Sequence, residues 1–233
     1  MYKVMQTFSK RTILGLAHVS RHIWKQFYIS WNRIMFRLLG IRFGKNMRVF
    51  PKCYLGLGPR SRITIGDNFT FYSGDGWNHL ARNLRGCFFA ENNAVVTIGD
   101  NVGISSSSIR AKRSITIGNN VDIGADSLII DTDAHSLDYM DRRSSDIDHA
   151  NAKSSPIVIG DDVLIGTRCV ILKGVTIGAR SIIGAGSVVS RSIPSDCIAA
   201  GNPCKVIKQL KTIINPGVGK HSRCFLYSSQ KVA

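Results

Sequence analysis

The chain has 233 residues, with 31 Lys+Arg against 15 Asp+Glu and a formal net charge of +16. An apolar fraction of 44% excludes wholesale disorder, and the length suggests one domain with small appendages. A basic excess this large points first to nucleic acid or an anionic membrane, but 1–66 hold 13 basic residues and no acid, 197–233 hold 6 and no acid, and 67–196 hold 12 basic against 15 acidic residues, so the body of the chain is slightly acidic and no nucleic-acid partner is expected.

Residues 1–45 read as a basic amphipathic helical cap. Ile23, Phe27, Trp31, Ile34 and Leu38 fall on one helical stripe, Lys25, Arg33 and Arg37 lie off it, and Gly40 is a plausible stop. Two readings stay open. The stripe packs down and covers the open end of the following domain, or the helix, with Trp24, Tyr28 and Phe36 among its basic residues, touches the inner leaflet of a membrane. The apolar stretch 13–17 is too short for the core of a signal peptide, and no apolar run reaches the roughly 18 residues of a membrane span.

From 46 to 200 a step of six dominates. It runs through Ile117, Ile123 and Ile129, then through Ile159, Ile165, Ile171, Ile177, Ile183 and Val189 without a slip. Neither a helix nor a long strand repeats at six. A short strand followed by a sharp corner does, and three such flats close a triangular coil of eighteen residues. Each aliphatic stacks inward on its equivalent one coil away, and the following glycine permits the corner. The pattern predicts a parallel β-helix whose hand it does not determine. The register also shows interruptions. Ile129 to Ile159 is thirty residues, twelve more than one coil, and the surplus falls in a polar excursion at 135–156. A second, less sharply bounded excursion covers 74–85. A long loop on a rigid scaffold is a functional candidate.

Residues 201–233 read as a turn at Gly201, Asn202 and Pro203, then a short helix over 205–210, with a loosely ordered tail expected from 212. The six cysteines form no CxxC and match no zinc module, and a reducing compartment, the cytosol, is the simpler setting. Cys169 is expected inside the coil or at a subunit contact.

The register asks for an aliphatic at 135 and finds a histidine, at the point where the coil breaks into its long excursion. Histidine suits general-base work near neutral pH. His135 is therefore the candidate base, against the plainer reading of a turn histidine. Asp131 and Asp133 are candidates to orient it, against Asx-turn corner residues. The spacings among His79, His135 and His149 do not suit a shared metal, and none is expected.

The segments DTDAH at 131–135, PIVIGDDVLIG at 156–166, ILKGVTIGARSIIGAGSVVS at 171–190 and AAGNPCKVIK at 199–208 resemble the hexapeptide-repeat acyltransferases. The similarity is strongest to the maltose and galactoside O-acetyltransferase type, including O-acetyltransferases of capsule and lipopolysaccharide clusters. That resemblance implies a left-handed parallel β-helix, a homotrimer with active sites between subunits, acetyl-CoA as donor and a sugar or glycan precursor as acceptor. It places the catalytic histidine at His135. Thr167 falls at the position that meets the thioester oxygen. Ala185 and Ser190 fall along the pantetheine channel, and Arg191, Lys205 and Lys208 where CoA phosphates are met; coil packing and a solvated basic face are their plainer readings. Leu164 stands where many relatives carry Trp. The expected function is O-acetyl transfer to a sugar hydroxyl in capsule, lipopolysaccharide or exopolysaccharide biosynthesis, by a cytoplasmic protein with candidate contact to the inner membrane through 1–40. Serine or nucleotide-sugar N-acyl transfer and a non-catalytic β-helix assembly module are the alternatives.

Overall fold

The computed structural model describes residues 10–74, 80 and 84–210. The 74–85 excursion, His79, His221 and the tail beyond 210 fall largely or wholly outside those residues.

The first element among the described residues is a helix, α1 (Lys10–Leu38). Gly40 ends it at φ +73°, where its N–H bonds Arg37 O and the Ile41 N–H bonds Phe36 O. Glycine meets that left-handed conformation without a Cβ penalty. Short strands follow in threes. The first coil is β1 (Arg42–Phe43), β2 (Arg48–Phe50) and β3 (Tyr54–Leu57). The second is β4 (Arg62–Ile65), β5 (Thr70–Tyr72) and β6 (Cys87–Ala90), and the third β7 (Val95–Ile98), β8 (Gly103–Ser105) and β9 (Ser108–Ala111). The fourth is β10 (Ser114–Ile117), β11 (Asp122–Ile123) and β12 (Leu128–Ile130), and the fifth β13 (Ile157–Ile159), β14 (Leu164–Ile165) and β15 (Val170–Ile171). The sixth is β16 (Thr176–Ile177), β17 (Ile182–Ile183) and β18 (Val188–Val189), after which come β19 (Cys197–Ala200) and β20 (Lys205–Gln209). Every strand from β1 to β15 pairs in parallel with the strand three places on, which makes three flat faces of a parallel solenoid.

The hexad register is the core. Ile117 pairs with Ile159 and Ile159 with Ile177 on the first face. Ile123, Ile165 and Ile183 stack on the second face, and Ile129, Ile171 and Val189 on the third. All nine are buried, each worth about 1.5–3 kcal/mol of removal from water. The glycine after the aliphatic is needed for close stacking rather than for a positive φ. A Cβ on Gly118 would stand 2.4 Å from Asp161 Oδ1 and 2.9 Å from the Gly160 carbonyl carbon. The positive φ falls two residues later, at Asn120 (56°) and Asp162 (58°). Cys169 is fully buried in this core, with its Sγ 3.2 Å from Gly184 O.

Three expectations need correction. First, β12 and β13 are consecutive strands on neighbouring faces, so Ile129 to Ile159 replaces one step of six. The insertion is therefore 24 residues, not twelve. It is not wholly irregular, because it holds a helical turn (Asp141–Arg143) and α2 (Ser145–Asn151). Second, Lys205–Gln209 is a strand, not a helix. It runs antiparallel to β19, with Ala200 opposite Lys205 and Ile198 opposite Lys208. Five residues containing adjacent Val206 and Ile207 nucleate a helix poorly, and β19 otherwise leaves an edge exposed.

Third, α1 does meet the open end of the coil, but with the other side. Ile29, Asn32 and Phe36 are buried, while the stripe of Ile23, Phe27, Trp31, Ile34 and Leu38 is exposed. Phe36 joins the core edge-on to Phe43 and Phe88. The edge strand β2 presents carbonyls that need donors, and the polar side of α1 supplies them. Asn32 Nδ2 donates to Val49 O (2.7 Å) and Pro51 O (3.0 Å), and Arg33 Nε to Met47 O (3.0 Å).

Candidate active site

The 24-residue insertion leaves the corner between the third and first faces through a narrow neck. Asp133 N–H donates to Lys153 O, Ser155 N–H donates to Asp131 O, and Thr132 bridges Ser154 in antiparallel fashion. Asp131 locks this neck to the preceding coil. Its carboxylate oxygens accept the backbone N–H groups of Lys112 (2.6 Å) and Arg113 (2.8 Å). Burial pushes the Asp131 carboxyl above the ordinary range, and those backbone bonds oppose the shift. Asp131 is thus a structural corner residue.

Beyond the neck, Ala134 takes φ +64° and turns the chain, so that His135 projects outward. His135 Nδ1 lies 2.6 Å from Asp148 Oδ2, on α2, and Asp148 Oδ1 accepts the Ser136 N–H at 2.6 Å. Hydrogen bonds from His135, first, and from the Ser136 amide hold the Asp148 carboxyl below the usual carboxylate range. An ionised carboxylate only accepts, so Nδ1 carries the proton and Nε2 presents its lone pair. The imidazole side chain is 70% exposed and that of Asp148 13%. One nitrogen is anchored at the protein and the other faces outward. The loop supports the pair: Ser136 Oγ donates to Asp141 Oδ2 (2.7 Å), Asn151 Nδ2 to the same oxygen (2.8 Å), and Arg142 Nη1 to Ser136 O (2.7 Å).

The orienting role expected of Asp131 or Asp133 therefore falls geometrically to Asp148. Asp133 instead meets Lys173, with Oδ1 2.6 Å from Nζ, and its buried Oδ2 has no hydrogen-bond partner among the described residues. The hexad register contains no mark for Asp148. The only signal for it is a carboxylate near the far end of the same excursion that begins with His135. The next residue, His149, has its Nε2 3.3 Å from Glu91 Oε2. Glu91, Asn92, Arg110, Lys112 and His149 line a groove of about 580 Å³ between the third face and the insertion.

The other candidate residues occupy two separate corners. Thr167 and Ala185 stack at the corner between the second and third faces, where Gly186 N–H donates to Thr167 O. Lys205 pairs with Ala200 at the same corner, because a Cβ on Gly184 would meet Ala200 Cβ at 2.7 Å. Ser190 and Arg191 lie at the opposite edge of the third face, one coil beyond Leu172 and Lys173 on the edge that carries the insertion. Lys208 is exposed opposite Ile198. One chain thus holds Thr167, Ala185 and Lys205 on one corner and His135, Ser190 and Arg191 on another, a full face apart. Leu164 is exposed on the second face.

A putative lipopolysaccharide biosynthesis O-acetyl transferase of Escherichia coli is 36% identical over 172 residues, 72% of this chain and 81% of its own length. The family model described as bacterial transferase hexapeptide (six repeats) matches residues 156–191. The chain belongs to this hexapeptide transferase family. Another member, the galactoside O-acetyltransferase of Escherichia coli, is 41% identical over 97 residues, 42% of this chain and 45% of its own. A putative acetyltransferase of Saccharomyces cerevisiae is 40% identical over 165 residues, 71% of this chain and 64% of its own. The alignments thus span under two thirds of these two relatives. Among solved structures, a hexapeptide-repeat acetyltransferase from Vibrio cholerae in complex with acetyl-CoA matches at TM-score 0.50 and 27% identity, covering 87% of this chain and 91% of its own.

Proposed function

We propose that this hexapeptide-family chain is an acetyl-CoA-dependent O-acetyltransferase that acts on a sugar hydroxyl in surface-polysaccharide assembly. The observation that carries the reading is the His135–Asp148 pair, which anchors Nδ1 at a carboxylate and leaves the rest of the imidazole exposed on the insertion. The names of the Escherichia coli relatives and the acetyl-CoA complex of the Vibrio cholerae neighbour support donor and acceptor class.

An alcohol is a weak nucleophile until its proton is removed as it attacks. His135 Nε2 takes the hydroxyl proton while the oxygen adds to the thioester carbonyl. The carbon–sulfur bond then breaks, and the imidazolium returns the proton to the departing sulfur, so that ester and free thiol balance the reactants. Asp148 stabilises the transient imidazolium and keeps the ring in the competent tautomer. Thr167 is assigned to the developing oxyanion. The groove lined by Glu91, Asn92 and Arg110 offers both acceptors and donors, as a hydroxyl-rich acceptor needs. Ala185 and Ser190 line the pantetheine path, and Arg191, Lys205 and Lys208 meet the phosphates. Asp133 acts at the neck through Lys173 rather than on the ring. The coil is read as left-handed and the protein as cytoplasmic, where its donor is made.

Half of the machinery sits on each of two corners, which favours a homotrimer in which the Thr167 corner of one copy faces the His135 corner of the next. A heterologous contact that closes on itself gives such a ring. Two experiments test the proposal. Mass spectrometry of products from acetyl-CoA and a panel of free, nucleotide-linked and lipid-linked saccharides should find an O-acetylated sugar; acetylated amines alone would refute it. Co-expressed His135→Ala and Ala185→Trp chains, each inactive alone, should recover about a quarter of wild-type activity through mixed rings. No recovery would place both halves of the site within one chain.

A further inference from the structure

We infer that the outward side of α1 docks on an anionic lipid surface. Ile23, Trp24, Phe27, Trp31, Ile34 and Leu38 are each 42–76% exposed. At about 100° per residue they lie roughly opposite Ile29, Asn32 and Phe36, which face the coil. The coil end is thus already closed by one side of the helix, and among the described residues nothing covers the other. The aromatic rings form a continuous patch: Trp24 and Phe27 meet edge-on at 5.8 Å, and Phe27 and Trp31 stack at 6.3 Å. An amphipathic aromatic surface of this kind suits the boundary between headgroups and acyl chains.

Charge selects the occupant. The segment 1–66 carries 13 basic residues and no acid. Arg21 and Arg37 flank the patch on the helix, and the Lys52 ammonium of the first coil stands 5.8 Å over the Trp31 ring. Pairing this face with the same face of a second copy would bring two such segments together, whereas an anionic surface complements them. Among the described residues no helix is long and apolar enough to cross a bilayer. The helix therefore lies along the surface, aromatic side down. This holds the whole coil at the membrane, within reach of a lipid-linked acceptor if the acetyl-transfer reading is right, but the docking itself does not depend on that reading.

The test uses the full chain and vesicles of phosphatidylcholine with or without phosphatidylglycerol. Cosedimentation with the anionic vesicles is expected, with a blue shift of Trp emission. Binding should fall at least about 10-fold with pure phosphatidylcholine, at 0.5 M salt, and in the Phe27→Glu/Trp31→Glu double variant. Circular dichroism and light scattering on that variant should show unchanged folding and mass, since both side chains are exposed. Wild-type protein that ignores anionic vesicles, or a double variant that still binds them, would overturn the inference. A variant that changes oligomeric mass would overturn it too, by making the face a contact between copies. Acetyl transfer to soluble acceptors should be unaffected by the variant, so loss of docking and failure of the catalytic reading are distinguishable.

Discussion

Replacing Asp148 by asparagine tests the pair on which the proposed chemistry rests. The side chain keeps its size, and its carbonyl oxygen still accepts the Ser136 N–H. What changes is the group opposite His135 Nδ1, now 2.6 Å from a carboxylate oxygen. With the carbonyl engaged by Ser136, the amide NH2 faces the ring and favours the tautomer with its proton on Nε2, which cannot accept the hydroxyl proton. A general base contributes roughly 10²–10⁴ in rate, and tautomer reversal removes most of it, so Asp148→Asn should lower kcat about 10²-fold or more. The assay is release of free CoA thiol in the presence of the acceptor found by mass spectrometry, with acetyl-CoA affinity measured separately and unchanged. The double variant His135→Ala/Asp148→Asn should be no slower than His135→Ala alone, because Asp148 acts through the ring. Activity of Asp148→Asn within twofold of wild type, or losses that multiply in the double variant, would refute the reasoning.

Three further outcomes follow from the structure. Phe36→Ala, at a fully buried ring, should cost about 3–5 kcal/mol, or roughly 6–20 °C in the melting midpoint, while Phe27→Ala, half exposed on the opposite side, should stay within about 0.5 kcal/mol; equal effects would mean the buried face of α1 is misassigned. Lys173→Met strips the Asp133 carboxylate of its ion pair, should cost about 1–3 kcal/mol, and should speed proteolysis within 136–155; an unchanged cleavage rate contradicts the neck's role. Hydrogen bonds hold Asp148 and Asp141 below the ordinary carboxylate range, so their contribution is present above the unfolded value of about 3.9 and is lost only as pH falls further. Urea midpoints should therefore show these two groups acting below about pH 4, with a smaller acid loss in Asp148→Asn.

The coil was legible in the sequence because each hexad aliphatic is a buried residue that stacks on the next, as Ile159 does on Ile177. The break at His135 was legible for the same reason, since a strict register makes its exceptions visible. Elsewhere the controlling contacts were not local. Periodicity in α1 located an apolar side but could not say whether the coil takes it. The coil end takes Phe36, Ile29 and the amide of Asn32 instead, because the β2 edge needs donors as well as apolar cover. The strand at Lys205–Gln209 exists only as the partner of β19, a relation no five-residue pattern contains. Asp148 lies thirteen residues beyond His135, inside an insertion whose path is set by its own turns rather than by the repeat.

The most direct measurement of the central claim is single-turnover acetyl transfer by purified His135→Ala protein, beside its acetyl-CoA binding. The account predicts an intact fold, donor affinity like that of wild type, and a transfer rate lower by roughly 10²–10⁴. Transfer at the wild-type rate by that variant would contradict it.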